Sequence, residues 1–188
     1  MKNLIYLVAI ALLIGGCSYK NEAINLQSYK ADYAGPILTE KKSTYIKLVQ
    51  DTRIDKRSIG YHLDNTEKLE RLFSDVNFAD KYKEGLGHAL NIAGFNTDTN
   101  IDDASLVLEI YIKNIELIYN DKVLDANLKG EIEIAVIIKK GEKVITQSFR
   151  QKKTDWIKPS FSSQDLEPFL YTLFADSIND IIARLTRY

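Results

Sequence analysis

The first sixteen residues constrain this chain more than any other stretch, because their pattern is that of a segment removed during export. Lys2 is followed by an uninterrupted apolar run over 4–14, and Gly15 and Gly16 come directly after it. A positive start, a short apolar run and small residues at its end are typical of a secretory signal peptide. As a helix, about eleven residues extend only about 16 Å, roughly half of a ~30 Å hydrocarbon core. The pattern therefore predicts a signal peptide over 1–16 rather than a spanning helix.

Cys17 sharpens this prediction, since Ile14–Cys17 (IGGC) resembles a bacterial lipobox. In such a motif the peptidase cleaves between Gly16 and Cys17, and the thiol receives lipid, with palmitate as a typical acyl chain. The sequence contains one cysteine, so no disulfide competes for it. Two or three acyl chains anchor a protein durably where one does not. The alternatives are an ordinary signal peptide with a chance cysteine, or a buried apolar N-terminus; the sequence favours lipid on Cys17 and membrane attachment.

The residue after the cysteine and the overall charge bear on location and partners. By resemblance to lipoprotein sorting in two-membrane bacteria, Ser18 favours the cell outer membrane, with the domain facing the periplasm. Without its signal peptide the chain has 24 basic and 26 acidic residues, a formal charge of −2. A nearly neutral, exported protein is not expected to bind nucleic acid.

The mature chain is long enough for one domain with a substantial core. Residues 17–42 have weak periodicity and contain a Gly35-Pro36 step, which marks an irregular segment. We interpret 17–42 as the lipidated cysteine and a tether, laid over the domain through residues such as Tyr29, Tyr33 and Ile37, and 43–188 as a single α+β domain.

Residue types and alternation predict strands in two parts of this region, over 44–73 and over 104–153. Thr44–Asp51 is a first strand, rich in aromatic and β-branched residues. Ser58–Leu63 and Lys68–Phe73 form short strands on either side of a loop over 62–67, although the second can also be a helical turn. Further along, Ala104–Tyr119, Leu128–Lys139 and Val144–Lys153 alternate and are joined by short turns, which predicts an antiparallel meander with one buried face.

Two segments show helical periodicity. Asn77–Ala93 has an apolar stripe, with Asn77 as its cap. Asp165–Arg187 has a broader stripe, with Asp165 as the expected cap and Pro168 in the first turn. Two helices covering one face of an antiparallel sheet would hide all three apolar surfaces. We therefore predict an α+β fold in β-α-β-β-β-α order, with both helices packed on one face of an antiparallel sheet.

Several short segments follow one another along the chain in a characteristic order: the lipobox at Cys17, Val49-x-Asp51-x-Arg53, Ala93-Gly94-Phe95, Ala104-x-Leu106-x-Leu108-x-Ile110, Gly141-Glu142-Lys143 before Thr146 and Arg150, and Asp176. In these segments the mature chain resembles the YajG-type bacterial lipoproteins, a family without an established activity. The resemblance extends over about 140 residues and implies no enzymatic activity and no site residues. The longer tether and the charged stretch over 64–72 depart from the family's pattern.

The residues do not assemble a catalytic or metal-binding pattern. His62 lies in a predicted loop and His88 on the polar side of the first helix, and neither has a cysteine partner at metal-ligand spacing. We therefore predict no enzyme activity, no metal and no cofactor. Trp156 and Phe161 are candidate residues for contact with a partner or with lipid headgroups, although a loop folded over the sheet edge explains them as well.

These observations favour a non-catalytic, membrane-anchored envelope lipoprotein that binds or braces an envelope protein or the cell wall. An exposed sheet edge can accept another strand through backbone hydrogen bonds. The alternative is an accessory lipoprotein of a lipid or lipopolysaccharide transport machine, which would be favoured by a lipid-sized apolar groove between the first helix and the sheet.

Overall fold

The computed structural model describes residue 24 and the ranges 33–63, 69–159 and 161–188. Within these residues it contains six strands and two helices, in the order β-β-β-α-β-β-β-α. The elements are β1 (Thr44–Asp51), β2 (Ser58–Leu63), β3 (Leu69–Phe73), α1 (Phe78–Ile92), β4 (Leu106–Asn120), β5 (Leu128–Lys140), β6 (Lys143–Asp155) and α2 (Ser163–Leu185). The α+β class is confirmed, with two more strands than the predicted order contained.

The strands form one mixed sheet in the order β3-β2-β4-β5-β6, in which β1 also pairs with β4. The prediction of a purely antiparallel sheet is wrong, because β1 and β2 both run parallel to β4. Thr44 lies opposite Leu106 and Gly60 opposite Leu117, so the two strands follow one another along the same edge of β4. Parallel pairing needs a long crossover, which α1 supplies between β1 and β4. Alternation is the same for either strand direction, so periodicity did not reveal it.

The region between β1 and α1 is a hairpin. Leu63 lies opposite Leu69, so β3 is a strand and the helical-turn alternative for this segment is wrong. Gly60 has φ +141°, and a Cβ there would lie 1.8 Å from the backbone oxygen of Leu117. Only glycine permits that conformation and that contact with β4.

The predicted meander of β4, β5 and β6 is confirmed. β4 and β5 pair from Val107 opposite Lys139 to Tyr119 opposite Leu128. β5 and β6 are joined by a tight turn at Gly141, whose φ is +56°. The apolar residues of β4 and β5 that were expected to point inward are buried: Leu106, Leu108, Ile110, Ile112, Ile132, Ile134, Val136 and Ile138.

Both helices cover the same face of the sheet, as predicted. α1 packs on β1, α2 packs on β5 and β6, and the helices contact each other. The Tyr82 hydroxyl and Ser177 Oγ share a buried hydrogen bond of 2.9 Å between them. In β5, a Cβ on Gly130 would lie 2.4 Å from Phe169 of α2, so this glycine allows close seating of the helix on the sheet.

The helix ends agree with the prediction for α1 and differ for α2. Asn77 caps α1 by accepting a hydrogen bond from the Asp80 amide. The N-cap of α2 is Ser162, not Asp165, whose carboxylate instead accepts the Ser162 amide at 2.7 Å. Because the helix begins at Ser163, Pro168 is its sixth residue rather than part of its first turn. Because Ser162 and Asp165 bind each other, the helix begins three residues earlier than a cap at Asp165 alone would place it.

Candidate functional site

The sheet has one long edge strand, β6. Within the described part of the chain β6 pairs with β5 and with no other strand. Its first half after Lys143, residues 144–149 (VITQSF), has no charged side chain, and Val144 is 62% exposed. Such an edge exposes backbone N–H and C=O groups that can pair with another strand. Arg150, Lys152 and Lys153 follow, so the charged residues of this edge are concentrated in its second half.

On the other side of β4, the described part of the sheet has two shorter edge strands, β1, which pairs only with β4, and β3, which differs from β6 in both length and charge. β3 has five residues, and its centre contains Glu70 and Arg71. Short edges with charged side chains resist pairing with other chains. β3 and β6 are therefore not equivalent as docking sites: β6 is longer and has an uncharged stretch, whereas β3 is short and charged.

Ion pairs on the outward face hold β6 against β5. Arg150 Nε lies 3.3 Å from Glu131 and 3.2 Å from Glu133, and Lys152 lies 2.9 Å from Glu131. The hydrogen bond from Arg150 holds the pKa of Glu133 below its ordinary value. On this face, opposite the buried one, the charges of Glu131 and Glu133 are paired with Arg150 and Lys152 across the two strands.

A second charge cluster on this face joins β1, β4 and β5. Glu109 of β4 is only 9% exposed and accepts hydrogen bonds from Lys47 of β1 at 2.8 Å and Lys139 of β5 at 3.0 Å. The hydrogen bond from Lys47, then that from Lys139, lower the pKa of Glu109 from 4.5 to about 2. The Tyr111 hydroxyl also donates to this carboxylate. Alternation predicted that Glu109 points outward but did not reveal that its neighbours bury it.

The two aromatic residues singled out in the sequence have different surroundings. Trp156 directly follows β6 and is 52% exposed. Phe161 is half-buried, with its ring 4.3 Å from that of Tyr119 and 5.5 Å from that of His62. The Asn127 side chain forms hydrogen bonds with both the N–H and the C=O of Ile157, and these bonds fix the backbone directly after Trp156. A role for Trp156 and Phe161 in partner binding stays a prediction.

His62 lies in β2, not in a loop as predicted. Its Nε2 is 3.0 Å from Asp121, which follows β4, and its Nδ1 is 3.7 Å from Glu70 of β3. These contacts link three neighbouring segments at one end of the sheet. Burial, then the charge of Asp121, raise the pKa of the nearby Tyr119 hydroxyl. His88 is exposed on α1, as expected.

No group of three or more His, Cys, Asp or Glu side chains in the described ranges has the arrangement of a metal site. The predicted absence of a metal, a cofactor and a catalytic activity stays a prediction.

Arg53 forms a buried junction between β1 and β2 that sequence reasoning missed. Its guanidinium binds Asp51 through Nε at 3.0 Å and Nη2 at 2.7 Å, and donates to the backbone oxygens of Ser58 and Lys56. It also lies 5.1 Å from the centre of the Phe78 ring. The Val49-x-Asp51-x-Arg53 motif marked these positions, but nothing local predicted that the pair would be buried.

The predicted cleavage and lipidation residues, Gly16 and Cys17, lie outside the described residues. Ile24 is described and is only 2% exposed, and its backbone oxygen accepts a hydrogen bond from Ser74 at 3.1 Å. Tyr33 and Leu38 pack against the core, and the Leu38 amide donates to Ala93 at the end of α1. In the ranges that the structure describes, no helix has the length and apolar content needed to cross a bilayer.

The fold is shared with proteins of very different sequence. A crystal structure of protein XCC0632 from Xanthomonas campestris, of the family DUF330, matches with a TM-score of 0.55 and 12% identity, covering 81% of this chain and 87% of that one. An uncharacterised protein matches with a TM-score of 0.51 and 10% identity, covering 78% and 99%. The Neisseria meningitidis lipoprotein GNA1162 is more distant, with a TM-score of 0.35, 13% identity and coverage of 76% and 99%. The first two likenesses concern the fold alone.

The sequence comparisons give the family. A search among curated proteins finds no match. A family model described as "Uncharacterized lipoprotein" matches residues 39–183, which include all six strands and nearly all of α2. This chain therefore belongs to that family of uncharacterised lipoproteins, in agreement with its resemblance to the YajG-type lipoproteins.

Proposed function

We propose that this protein is a non-catalytic lipoprotein of the cell outer membrane, anchored through lipid on Cys17 and facing the periplasm, that binds another envelope protein by accepting a strand at β6. The observation that carries the proposal is the long, partly uncharged outer edge of β6, which pairs with no other strand in the part of the chain that the structure describes. The family membership supports the lipid anchor.

The edge is already ordered before a partner arrives. β5 pairs with β6 along its whole length, from Lys140 opposite Lys143 to Leu128 opposite Asp155. Ion pairs from Arg150 and Lys152 add to this pairing on the outward face. A preordered strand loses little conformational entropy when another strand adds to it, which favours binding.

The uncharged half of β6 offers suitable side chains for an added strand. Val144, Thr146 and Ser148 are exposed on the outward face. Ile145 and Phe149 are half-buried against the core, so this half of the strand is held on its inner side. A partner strand beside β6 would make backbone hydrogen bonds and cover Val144.

A second candidate is an accessory role in lipid or lipopolysaccharide transport. That role needs an apolar space between α1 and the sheet. The α1 side chains facing the sheet or the other helix, among them Phe78, Tyr82, Leu86 and Leu90, are at most 1% exposed and belong to the packed core. This packing favours strand addition over lipid carriage.

The experiment that tests the proposal places a photo-crosslinking amino acid at Val144 in the full-length, lipidated protein in intact cells. We expect a recurrent adduct with one envelope protein. The matched control is the same amino acid at Leu69 of β3, which is 58% exposed at the opposite edge. Equal adducts at both positions, or none at Val144, would contradict the proposal.

A second variant tests the mode of binding. Val144→Lys puts a charge in the uncharged half of β6, and Leu69→Lys puts the same charge on β3. A lysine on an edge strand opposes pairing with another strand. With the crosslinker moved to Thr146, we expect Val144→Lys to abolish the adduct and Leu69→Lys to preserve it. Retention of the adduct in Val144→Lys would exclude strand addition at this half of β6.

The anchor is tested separately, by fractionating cells that express Cys17→Ser. We expect the protein to leave the membrane fraction and, in the wild type, mass spectrometry to find lipid on Cys17. An unmodified Met1 terminus in the mature protein would refute both the anchor and the envelope location.

A further inference from the structure

The loop between β1 and β2, residues 52–57, presents an apolar side chain directly to solvent. Ile54 is fully exposed, with a relative exposure of 106%. Asp55, Lys56 and Arg57 follow it and are exposed as well. A fully exposed isoleucine loses the free energy that burial would provide, so a surface that covers it would be favoured.

This β1–β2 loop is held in one shape from inside. The Arg53 guanidinium donates hydrogen bonds to Asp51 at the start of the loop and to the backbone oxygens of Lys56 and Ser58 at the end of the loop. The Asp55 carboxylate accepts the amides of Arg57 and Ser58, both at 3.1 Å. Ile54 is therefore presented by an ordered loop, and little ordering is required when the loop meets a surface.

Three basic side chains lie in or beside this loop, together with the carboxylates of Asp55 and Asp75. Lys56 is exposed, while Arg57 and Arg71 contact Asp75 at 2.9 Å and Asp55 at 3.6 Å. The side chains in both pairs are between 48% and 72% exposed. Exposed pairs of this kind contribute little, so their guanidinium groups can bind phosphate instead.

The chain that leads to the predicted anchor reaches the domain beside this loop. Ser74 connects the two: its side chain donates to the Ile24 backbone oxygen at 3.1 Å, and its amide donates to the Arg57 backbone oxygen at 2.9 Å. Ile24 follows Cys17 by only seven positions. Even when fully extended, seven residues span at most about 25 Å. Lipid on Cys17 therefore keeps this side of the domain close to the membrane.

We propose that the β1–β2 loop is a membrane-contact site, at which Ile54 enters the interfacial region of the leaflet that holds the lipid on Cys17. Lys56, Arg57 and Arg71 bind lipid phosphates around it. This proposal rests on the proposed lipid anchor. Contact through the β1–β2 loop would orient the β1–β2 side of the sheet toward the membrane. β6 lies on the other side of β4, beyond β5, and so faces away from the membrane.

The test uses the lipidated mature protein in vesicles of phosphatidylethanolamine and phosphatidylglycerol that contain a nitroxide-labelled lipid. Because Cys17 is the one native cysteine and its thiol is consumed by lipid, Ile54→Cys supplies a single site for an environment-sensitive fluorophore. The matched control is Val144→Cys, another exposed aliphatic residue, in β6. Neither substitution removes a buried contact, so both variants are expected to fold.

In protein that floats with the vesicles, we expect the label at position 54 to shift to the blue and to be quenched by the nitroxide lipid, and the label at 144 to do neither. Quenching that is equal at the two positions, stronger at 144, or absent at both in floated protein would overturn the proposal. Protein that does not float would refute the lipid anchor itself and this site with it, so the two failures are distinguishable.

A second set of measurements tests whether Ile54 itself enters the membrane and whether the loop contacts lipid rather than protein. With the fluorophore on Asp75→Cys, an exposed position beside Arg57 that leaves the three basic residues in place, we expect Ile54→Asp to remove the quenching, and unchanged quenching would refute insertion of Ile54. In cells, a photo-crosslinker at Ile54 is expected to give adducts with lipid. A recurrent protein adduct there would assign the loop to a protein partner and overturn the membrane site.

Discussion

The two sides of β4 complete the same sheet but are built in different ways. On one side, β1 and β2 are short, run parallel to β4 and are separated by a loop that a buried Arg53–Asp51 pair holds together. On the other side, β5 and β6 are long, antiparallel and joined by a tight turn at Gly141. The chain from the predicted anchor at Cys17 reaches the parallel side at Ile24, whereas the antiparallel side ends in β6, the longest edge strand of the described sheet. We infer that the first side faces the membrane and the second faces the partner.

Among the described residues of the parallel side, Arg53 and Asp51 form the ion pair in which both side chains are buried, so removal of Arg53 has the largest expected effect. Arg53→Ala leaves the Asp51 carboxylate buried without its main partner, and we expect the free energy of unfolding to fall by about 3 to 5 kcal/mol. Urea denaturation of an unlipidated Cys17→Ser chain measures this. The control Arg57→Ala removes an exposed pair with Asp75 and should cost less than about 1 kcal/mol. Equal effects of the two variants would show that the junction does not hold this side together.

The antiparallel side depends on the seating of α2 over β5. A Cβ at Gly130 would lie 2.4 Å from Phe169 and 2.6 Å from Leu173, so we expect Gly130→Ala to destabilise the protein by about 1 to 3 kcal/mol. Gly87→Ala in α1 is the control, because its Cβ would meet only Ile46, at 3.9 Å. That change should be neutral or stabilise by up to about 1 kcal/mol. Thermal unfolding of both variants compares them, and a neutral Gly130→Ala would show that α2 can shift freely on the sheet.

Glu109 connects the two sides, since its carboxylate binds Lys47 of β1 and Lys139 of β5. Its pKa of about 2 lies below its ordinary value, so the stability that it contributes is complete above about pH 4.5 and is lost as the pH falls toward 2. Both lysine side chains are nearly half exposed, so solvent screening reduces the expected cost of Glu109→Gln at pH 7 to about 1 kcal/mol.

The measurement for Glu109→Gln is urea denaturation between pH 7 and pH 2. We expect the variant to lose less stability than the wild type below pH 4.5, because it has no carboxylate to protonate at this position. Glu142→Gln, in the exposed β5–β6 turn, is the control and should leave the pH profile unchanged. Parallel profiles for the wild type and Glu109→Gln would show that Glu109 does not couple the two sides through its charge.

Elements that depend on local pattern were predicted well. The limits of β1, the meander of β4 to β6 and the apolar faces of both helices follow from periodicities of two and of 3.6 residues. The cap at Asn77 follows from a side chain that reaches its own first turn. At α2, by contrast, two residues act together: Ser162 and Asp165 contact each other, and the helix begins before the position that Asp165 alone indicated.

The sites were predicted less well, because they are formed by residues distant in sequence. Val144 and its neighbours were expected to form a strand, but a strand becomes an edge only when the sheet order is known. Gly130 looked like an ordinary strand residue, although it is the position where α2 approaches closely.

By itself, the sequence determined the α+β class and the buried face of each element, and it predicted an export signal over 1–16 and lipid on Cys17. Each of these depends on residue types over a few consecutive residues, turns of helix or strand positions. Only the tertiary structure decided that β1 and β2 run parallel to β4, that Arg53 is buried beside Phe78, and that Ile24 and the β1–β2 loop lie on the side of the sheet opposite β6. The physical reason is that strand direction and edge position are set by the crossover through α1 and by the packing of both helices, which bring together residues far apart in the chain.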